Sequence, residues 1–87
     1  MNIGLIGLGY WGKNLLRNLI TNKNINNIYI FDKDVIKIKK SQNIFYYNNK
    51  KQFFLNKDID LYIIATPTKT HLEFISECLK LNKNVCI

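Results

Sequence analysis

The 87-residue chain is poor in the residues that punctuate a backbone. It has one proline, Pro67, and four glycines, all within the first twelve residues. Collagen-like and proline-rich disordered classes are therefore excluded. Two cysteines, Cys78 and Cys86, lie in apolar segments with no C-x-x-C spacing and no histidine at a metal-ligand interval. They read as buried reduced thiols, which suit a cytoplasmic protein. Arginine occurs once, at Arg17, and there is one histidine, His71. No apolar run approaches membrane-spanning length, and no basic segment precedes an apolar stretch at the N-terminus. No membrane partner is expected.

The chain does hold 12 lysines, 13 asparagines and 14 isoleucines, for a formal net charge of +7. A basic balance raises the question of a nucleic-acid partner. The lysines are scattered, however, and base readout and bidentate phosphate contact favour arginine. A solvated lysine surface is the better reading, and no nucleic-acid partner is expected. The positive field still suits an anionic ligand. Hydrophobic residues make up 47% and recur along the whole length, which argues against disorder. The length allows one small domain, residues 1–87, with no room for a second.

Apolar periodicity alternates along the chain. Residues 2–6 read as a buried strand ending at Gly7. Residues 10–21 place Trp11, Leu15, Leu16, Leu19 and Ile20 at helical spacing. A second strand at 28–31 ends at Asp32, and Asp34 is a good N-cap for a helix over residues 35–41. Short strand 44–46 and brief helix 50–56 follow, the latter with Phe53 and Phe54 turned inward. Residues 61–65 form an apolar, β-branched run that reads as a buried strand. Residues 68–81 read as a helix with Leu72, Ile75, Cys78 or Leu79, and Leu81 on its apolar face. Residues 85–87 begin a fifth strand. Strands alternating with helices imply an α/β fold. It is read as a Rossmann-type doubly wound parallel sheet of about five strands, incomplete and without a second domain.

Gly7-Leu8-Gly9-Tyr10-Trp11-Gly12 matches G-x-G-x-x-G. Alone the pattern is weak, but here it follows a strand, opens a helix and is followed by Asp32 twenty residues after Gly12. Gly7 permits the tight turn, Gly9 lets a pyrophosphate approach the backbone, and Gly12 lets the helix pack close to the sheet. Amides near Tyr10 and Trp11 then face the phosphates, aided by the helix dipole. Trp11 otherwise reads as a packing residue. Asp32 suits the adenosine ribose hydroxyls and would repel a 2′-phosphate, favouring NAD over NADP; the adjacent Lys33 softens that preference.

A second loop, Ala65-Thr66-Pro67-Thr68-Lys69-Thr70-His71, follows the fourth strand. In the usual strand order it faces the glycine loop across the crevice where that order reverses. Pro67 stiffens it, and Thr66 and Thr68 offer hydroxyls to a ribose. His71 reads equally as a polar contact there or as a first-turn helix residue. Asp58 and Asp60 read as a turn before a strand rather than a catalytic dyad.

These stretches together resemble the N-terminal domain of the glucose–fructose oxidoreductase / inositol dehydrogenase (Gfo/Idh/MocA) family. The resemblance runs from Asn2 to Ile87. It is carried by Ile6-Gly7-Leu8-Gly9-Tyr10-Trp11-Gly12-Lys13-Asn14, Phe31-Asp32, Ile59-Asp60-Leu61, Ala65-Thr66-Pro67-Thr68 and Thr70-His71. It implies hydride transfer between a nicotinamide cofactor and a sugar or cyclitol carbon. The Tyr-Trp-Gly turn is similar to members acting on nucleotide sugars. By the same resemblance Gly7, Gly9, Tyr10, Trp11, Gly12 and Asp32 hold the adenine-side half of NAD, and Thr66, Pro67 and His71 lie near the nicotinamide-side ribose. Leu8, Lys33 and Ala65 complete the expected cofactor set.

The chain departs from the family at Asn82, where glycine is common, and at Asn84, where histidine is frequent. It ends before the family's Glu-Lys-Pro motif, whose lysine assists catalysis, and before the C-terminal substrate domain. The chain alone is accordingly expected to bind dinucleotide without turning over substrate. A separately encoded substrate domain is one expected partner, and a non-catalytic dinucleotide-binding module is the alternative. Sheet edges left bare by missing strands are expected to give poor solution behaviour.

Overall fold

The computed structural model describes residues 1–32, 43–66, 68–80 and 84–86. Five strands, β1 (Asn2–Ile6), β2 (Asn27–Phe31), β3 (Ile44–Tyr47), β4 (Leu61–Ile64) and β5 (Asn84–Cys86), alternate with helices α1 (Tyr10–Ile20), α2 (Lys50–Leu55) and α3 (Thr68–Lys80). The expected helix over residues 35–41, together with Lys33, Pro67, Leu81, Asn82 and Ile87, lies outside the described residues.

All strand pairings are parallel, in the order β3-β2-β1-β4-β5. A parallel neighbour requires a crossover, so helices must cover both faces. Successive side chains of a strand point to opposite faces, and the core divides accordingly. Ile28 and Ile30 of β2 join Leu5 of β1 and Leu16 of α1 in one cluster. Tyr29 and Phe31 of β2 join Ile6, Tyr62, Phe53 of α2, and Phe74 and Cys78 of α3 in the other. The strand order reverses at β1, where β2 lies on one side and β4 on the other.

The second cluster is unusually aromatic. Phe53 is fully buried and its ring centroid lies 5.7 Å from Phe31, 5.8 Å from Tyr47 and 5.9 Å from Tyr62. Tyr62 fits because its partner in register is Gly4, where a Cβ would stand 2.9 Å from the tyrosine ring. Removing Phe53 would cost about 3–5 kcal/mol, the usual range for emptying so large a buried site.

The structure shifts several expected details. Helix α1 ends at Ile20, with Thr21 as its C-cap, and Ile20 is 53% exposed rather than on the buried face. Leu16 is buried, with Leu15 and Leu19 packed beside it. Helix α2 ends at Leu55, and Asn56 caps it. Phe53 is buried as expected, whereas Phe54 is only partly covered. On α3 the choice between Cys78 and Leu79 falls to Cys78, and Leu79 is exposed. Phe74, absent from the expected apolar face, is a core residue. Asp58 and Asp60 stand at the N-terminal rim of the sheet, away from the glycine loop. There the Asp60 carboxylate accepts the Asn2 amide at 2.8 Å and the Asp58 carbonyl accepts from the Asn2 side chain at 2.9 Å.

Candidate functional site at the first β–α junction

The chain leaves β1 by a turn that needs glycine. Gly7 has φ 98°, in the left-handed region that other residues enter only at a cost. A Cβ there would also lie 2.9 Å from Thr66 Cγ2 and 3.1 Å from the Ala65 carbonyl carbon. The glycine loop and the loop after β4 are thus in contact, as the sequence implied. Ala65 remains tied to β1 through its amide, which donates to the Ile6 carbonyl at 2.8 Å.

Helix α1 then begins at Tyr10 with Gly9 as its N-cap and no side chain capping it. The first amides of any helix have no partner within it and carry partial positive charge. An ideal Cβ on Gly9 would meet none of the described residues within 4 Å, so among them the ground in front of this helix end is open. Gly12 is the opposite case: a Cβ there would fall 2.1 Å from the Gly7 carbonyl oxygen. The helix can lie against the turn only because position 12 has no side chain. Leu8, between the two turns, is buried at 2% exposure and anchors the loop in the cluster around Leu16.

Asp32 follows β2 at the same end of the sheet. Its carboxylate oxygen accepts the Leu8 backbone amide at 2.7 Å, and its own amide donates to the Tyr47 carbonyl at 3.2 Å. The residue is half-buried. On the other side of the junction Thr66 is also half-buried, and its hydroxyl is shielded from solvent with no hydrogen-bond partner among the described residues. Leaving such a group unmade typically costs about 1–3 kcal/mol; the Tyr46 and Tyr62 hydroxyls are likewise without a partner among the described residues.

Of the twelve residues expected at the site, the structure brings Gly7, Leu8, Gly9, Gly12, Asp32, Ala65 and Thr66 to one end of the sheet, with Tyr10 and Trp11 opening α1 beside them. His71 stands in the first turn of α3. Lys33 and Pro67 lie outside the described residues. The contact from Asp32 to Leu8 and the tie from Asp32 to Tyr47 were not foreseen. The motif does not record the first, and nothing in the sequence around Tyr47 announces the second. Among the described residues no group of three or more His, Cys, Asp or Glu could hold a metal ion, and no helix is long and apolar enough to cross a membrane.

Comparison with known proteins follows this geometry. The family model for the oxidoreductase family with an NAD-binding Rossmann fold, Gfo/Idh/MocA, matches residues 1–87. Among solved structures, an oxidoreductase from Bacillus cereus superposes with a TM-score of 0.84 at 22% identity, covering 98% of this chain and 26% of that one. A protein described as an oxidoreductase from Klebsiella pneumoniae is 29% identical, with a TM-score of 0.80, covering 98% of this chain and 25% of its own. A dihydrodipicolinate reductase from Paenisporosarcina shares the fold at 16% identity and a TM-score of 0.82, over 98% of this chain and 36% of that one. No curated protein sequence matches the chain. The chain spans about a quarter of the length of the first two relatives. The fold and the family match agree, and the chain belongs to the Gfo/Idh/MocA oxidoreductases as their NAD-binding Rossmann domain.

Proposed function

We propose that this domain holds the dinucleotide of an oxidoreductase that transfers hydride to or from a sugar, nucleotide sugar or cyclitol. The observation that carries the reading is the open ground in front of Gly9, bounded by the uncapped start of α1 and by Asp32. A diphosphate suits that ground because a side chain at position 9 would meet no described residue there and would stand where the ligand lies.

The residues divide the work. Gly7, Leu8, Gly9 and the opening residues Tyr10, Trp11 and Gly12 present main-chain amides and dipole to the diphosphate. Asp32, with Lys33 beside it, meets the adenosine ribose; a carboxylate accepts from two hydroxyls and repels a 2′-phosphate, which favours NAD over NADP. Ala65 and Thr66 face the glycine loop from the loop after β4, Pro67 and His71 are assigned to the nicotinamide-side ribose by the family resemblance, and the shielded Thr66 hydroxyl finds its missing partner in a ribose hydroxyl. The nicotinamide ring supplies hydride transfer when bound. No residue of this chain is assigned a catalytic role. The groups that bind and protonate the substrate are proposed to lie in the additional length seen in the relatives.

Isothermal titration of the 87-residue chain with NAD and with NADP tests the reading. We expect NAD to bind more tightly, and Asp32→Ala to weaken NAD by about tenfold, the value of a hydrogen bond to a charged group. Absence of heat with either nucleotide at millimolar concentration would sink it.

A further inference from the structure

The parallel ladder between β1 and β2 runs from Asn2 opposite Asn27 to Ile6 opposite Phe31, and the Gly7 amide extends it by donating to the Phe31 carbonyl at 2.8 Å. At Gly7 the chain turns off the sheet at a positive φ, which brings the next amide, that of Leu8, toward the end of β2. The Asp32 carboxylate accepts it at 2.7 Å. One side chain thus adds a tie between the end of β2 and the turn, beside the main-chain bond from Gly7 to Phe31. Three ties then meet at the turn. The Leu8 side chain is sunk in the core, its amide is held by Asp32, and Asp32 is itself fixed to β3 through the Tyr47 carbonyl.

From this arrangement we propose that Asp32 is a positioning residue for the glycine-rich loop, holding residues 7–9 in their diphosphate-receiving shape before any nucleotide arrives. The proposal rests on the dinucleotide reading for the loop's purpose, but the tie itself is a property of the free protein. A charge-assisted bond from a carboxylate to a main-chain amide is among the stronger hydrogen bonds. The loop it closes carries a glycine at either side of Leu8, where the unfolded chain has the most freedom to lose. Removing the carboxylate frees that turn. The consequence for cofactor choice is specific: a substitution at Asp32 meant to admit a 2′-phosphate also unties the loop, and so weakens both cofactors unless the new residue still offers an acceptor to Leu8.

Amide hydrogen exchange on the nucleotide-free chain tests this, so a failure of NAD binding leaves the result readable. The Leu8 amide is expected to be protected in the wild type. In Asp32→Ala it should exchange about tenfold faster or more, relative to the Leu5 amide inside β1. Asp32→Asn keeps a side-chain carbonyl in the same place while losing the charge, and should restore Leu8 protection to within about threefold of wild type. A general loss of packing would not be rescued in this way. Equal Leu8 protection in the wild type and Asp32→Ala overturns the proposal. Should Asp32→Ala fail to fold, the wild-type protein decides: a Leu8 amide exchanging at the rate of an unfolded peptide overturns it, and a protected one that survives in Asp32→Asn supports it.

Discussion

Gly7, Gly9 and Gly12 are one residue type, and the backbone uses each for a different purpose. Gly7 supplies a positive φ, Gly12 supplies contact between helix and turn, and Gly9 leaves space that the protein does not itself fill. The difference is measurable by substitution. Gly12→Ala pushes a methyl group into the Gly7 carbonyl and should destabilise the fold by about 3 kcal/mol in urea unfolding. Gly9→Ala meets no neighbour, at a φ of −67° that alanine accepts. It should cost no more than about 1 kcal/mol, from the poorer N-cap, while weakening NAD in the same samples. A loss of stability at position 9 as large as at position 12 would remove the argument for an open cradle. The spacing of the glycines and Asp32 was legible because each position answers to one steric demand. The unmade Thr66 hydroxyl was legible only as a candidate, since exposure of a single oxygen depends on how two loops pack. The bond from Asp32 to Leu8 was not legible, because the motif records which residues meet a ligand and says nothing of which meet each other.

At the scale of strands and helices, two-residue and 3.6-residue periodicity placed every described element to within a residue or two at its ends. Helix α3 shows where that reasoning slips. Its buried line is Phe74 and Cys78, four apart, with Ile75 alongside. The sequence left Cys78 and Leu79 as alternatives beside Leu72, Ile75 and Leu81 and passed over Phe74; with Phe74 and Cys78 buried, Leu79 is exposed. The true stripe carries a thiol at its centre. Burial pushes the Cys78 thiol up from 9.0 to about 11, with the nearby Glu77 carboxylate adding to it, and pushes the Tyr62 phenol up from 10.0 to about 12, with Cys78 contributing. Both groups are neutral when protonated, so the fold keeps protons that the unfolded chain has already released. Their contribution is complete below pH 9 and is lost upward, for Cys78 between about pH 9 and 11 and for Tyr62 between about pH 10 and 12. Urea midpoints measured across that range should fall with pH, and Cys78→Ala should flatten the fall between pH 9 and 11. An unchanged slope would mean that the thiol does not titrate from within the core.

For the molecule as a whole, the chain is compact: its radius of gyration is 11.8 Å, against about 12 Å expected for a folded chain of this length. Two ends of one sheet have been given separate duties. At the N-terminal rim Asn2, Asn27, Asp58 and Asp60 are bonded to one another, while the C-terminal rim presents an uncapped helix and an unmade hydroxyl. A ligand that completes the second rim should therefore stabilise the entire fold. At a hundredfold excess over its dissociation constant, NAD adds about 2.7 kcal/mol to a native state that alone binds it. For a domain this small that corresponds to a rise on the order of 10 °C in the thermal midpoint. A midpoint unmoved by NAD would show that the folded and unfolded chains bind it alike.

Trp11 is the second residue of α1 and the chain's one tryptophan. The protein therefore carries a built-in optical reporter on the helix that follows its glycine turn. Emission excited at wavelengths too long for the five tyrosines to absorb comes from this one indole, so occupancy of the neighbouring glycine turn can be followed by light without attaching a dye. Reduced and oxidised cofactor, which differ in what they absorb, become distinguishable by the same beam.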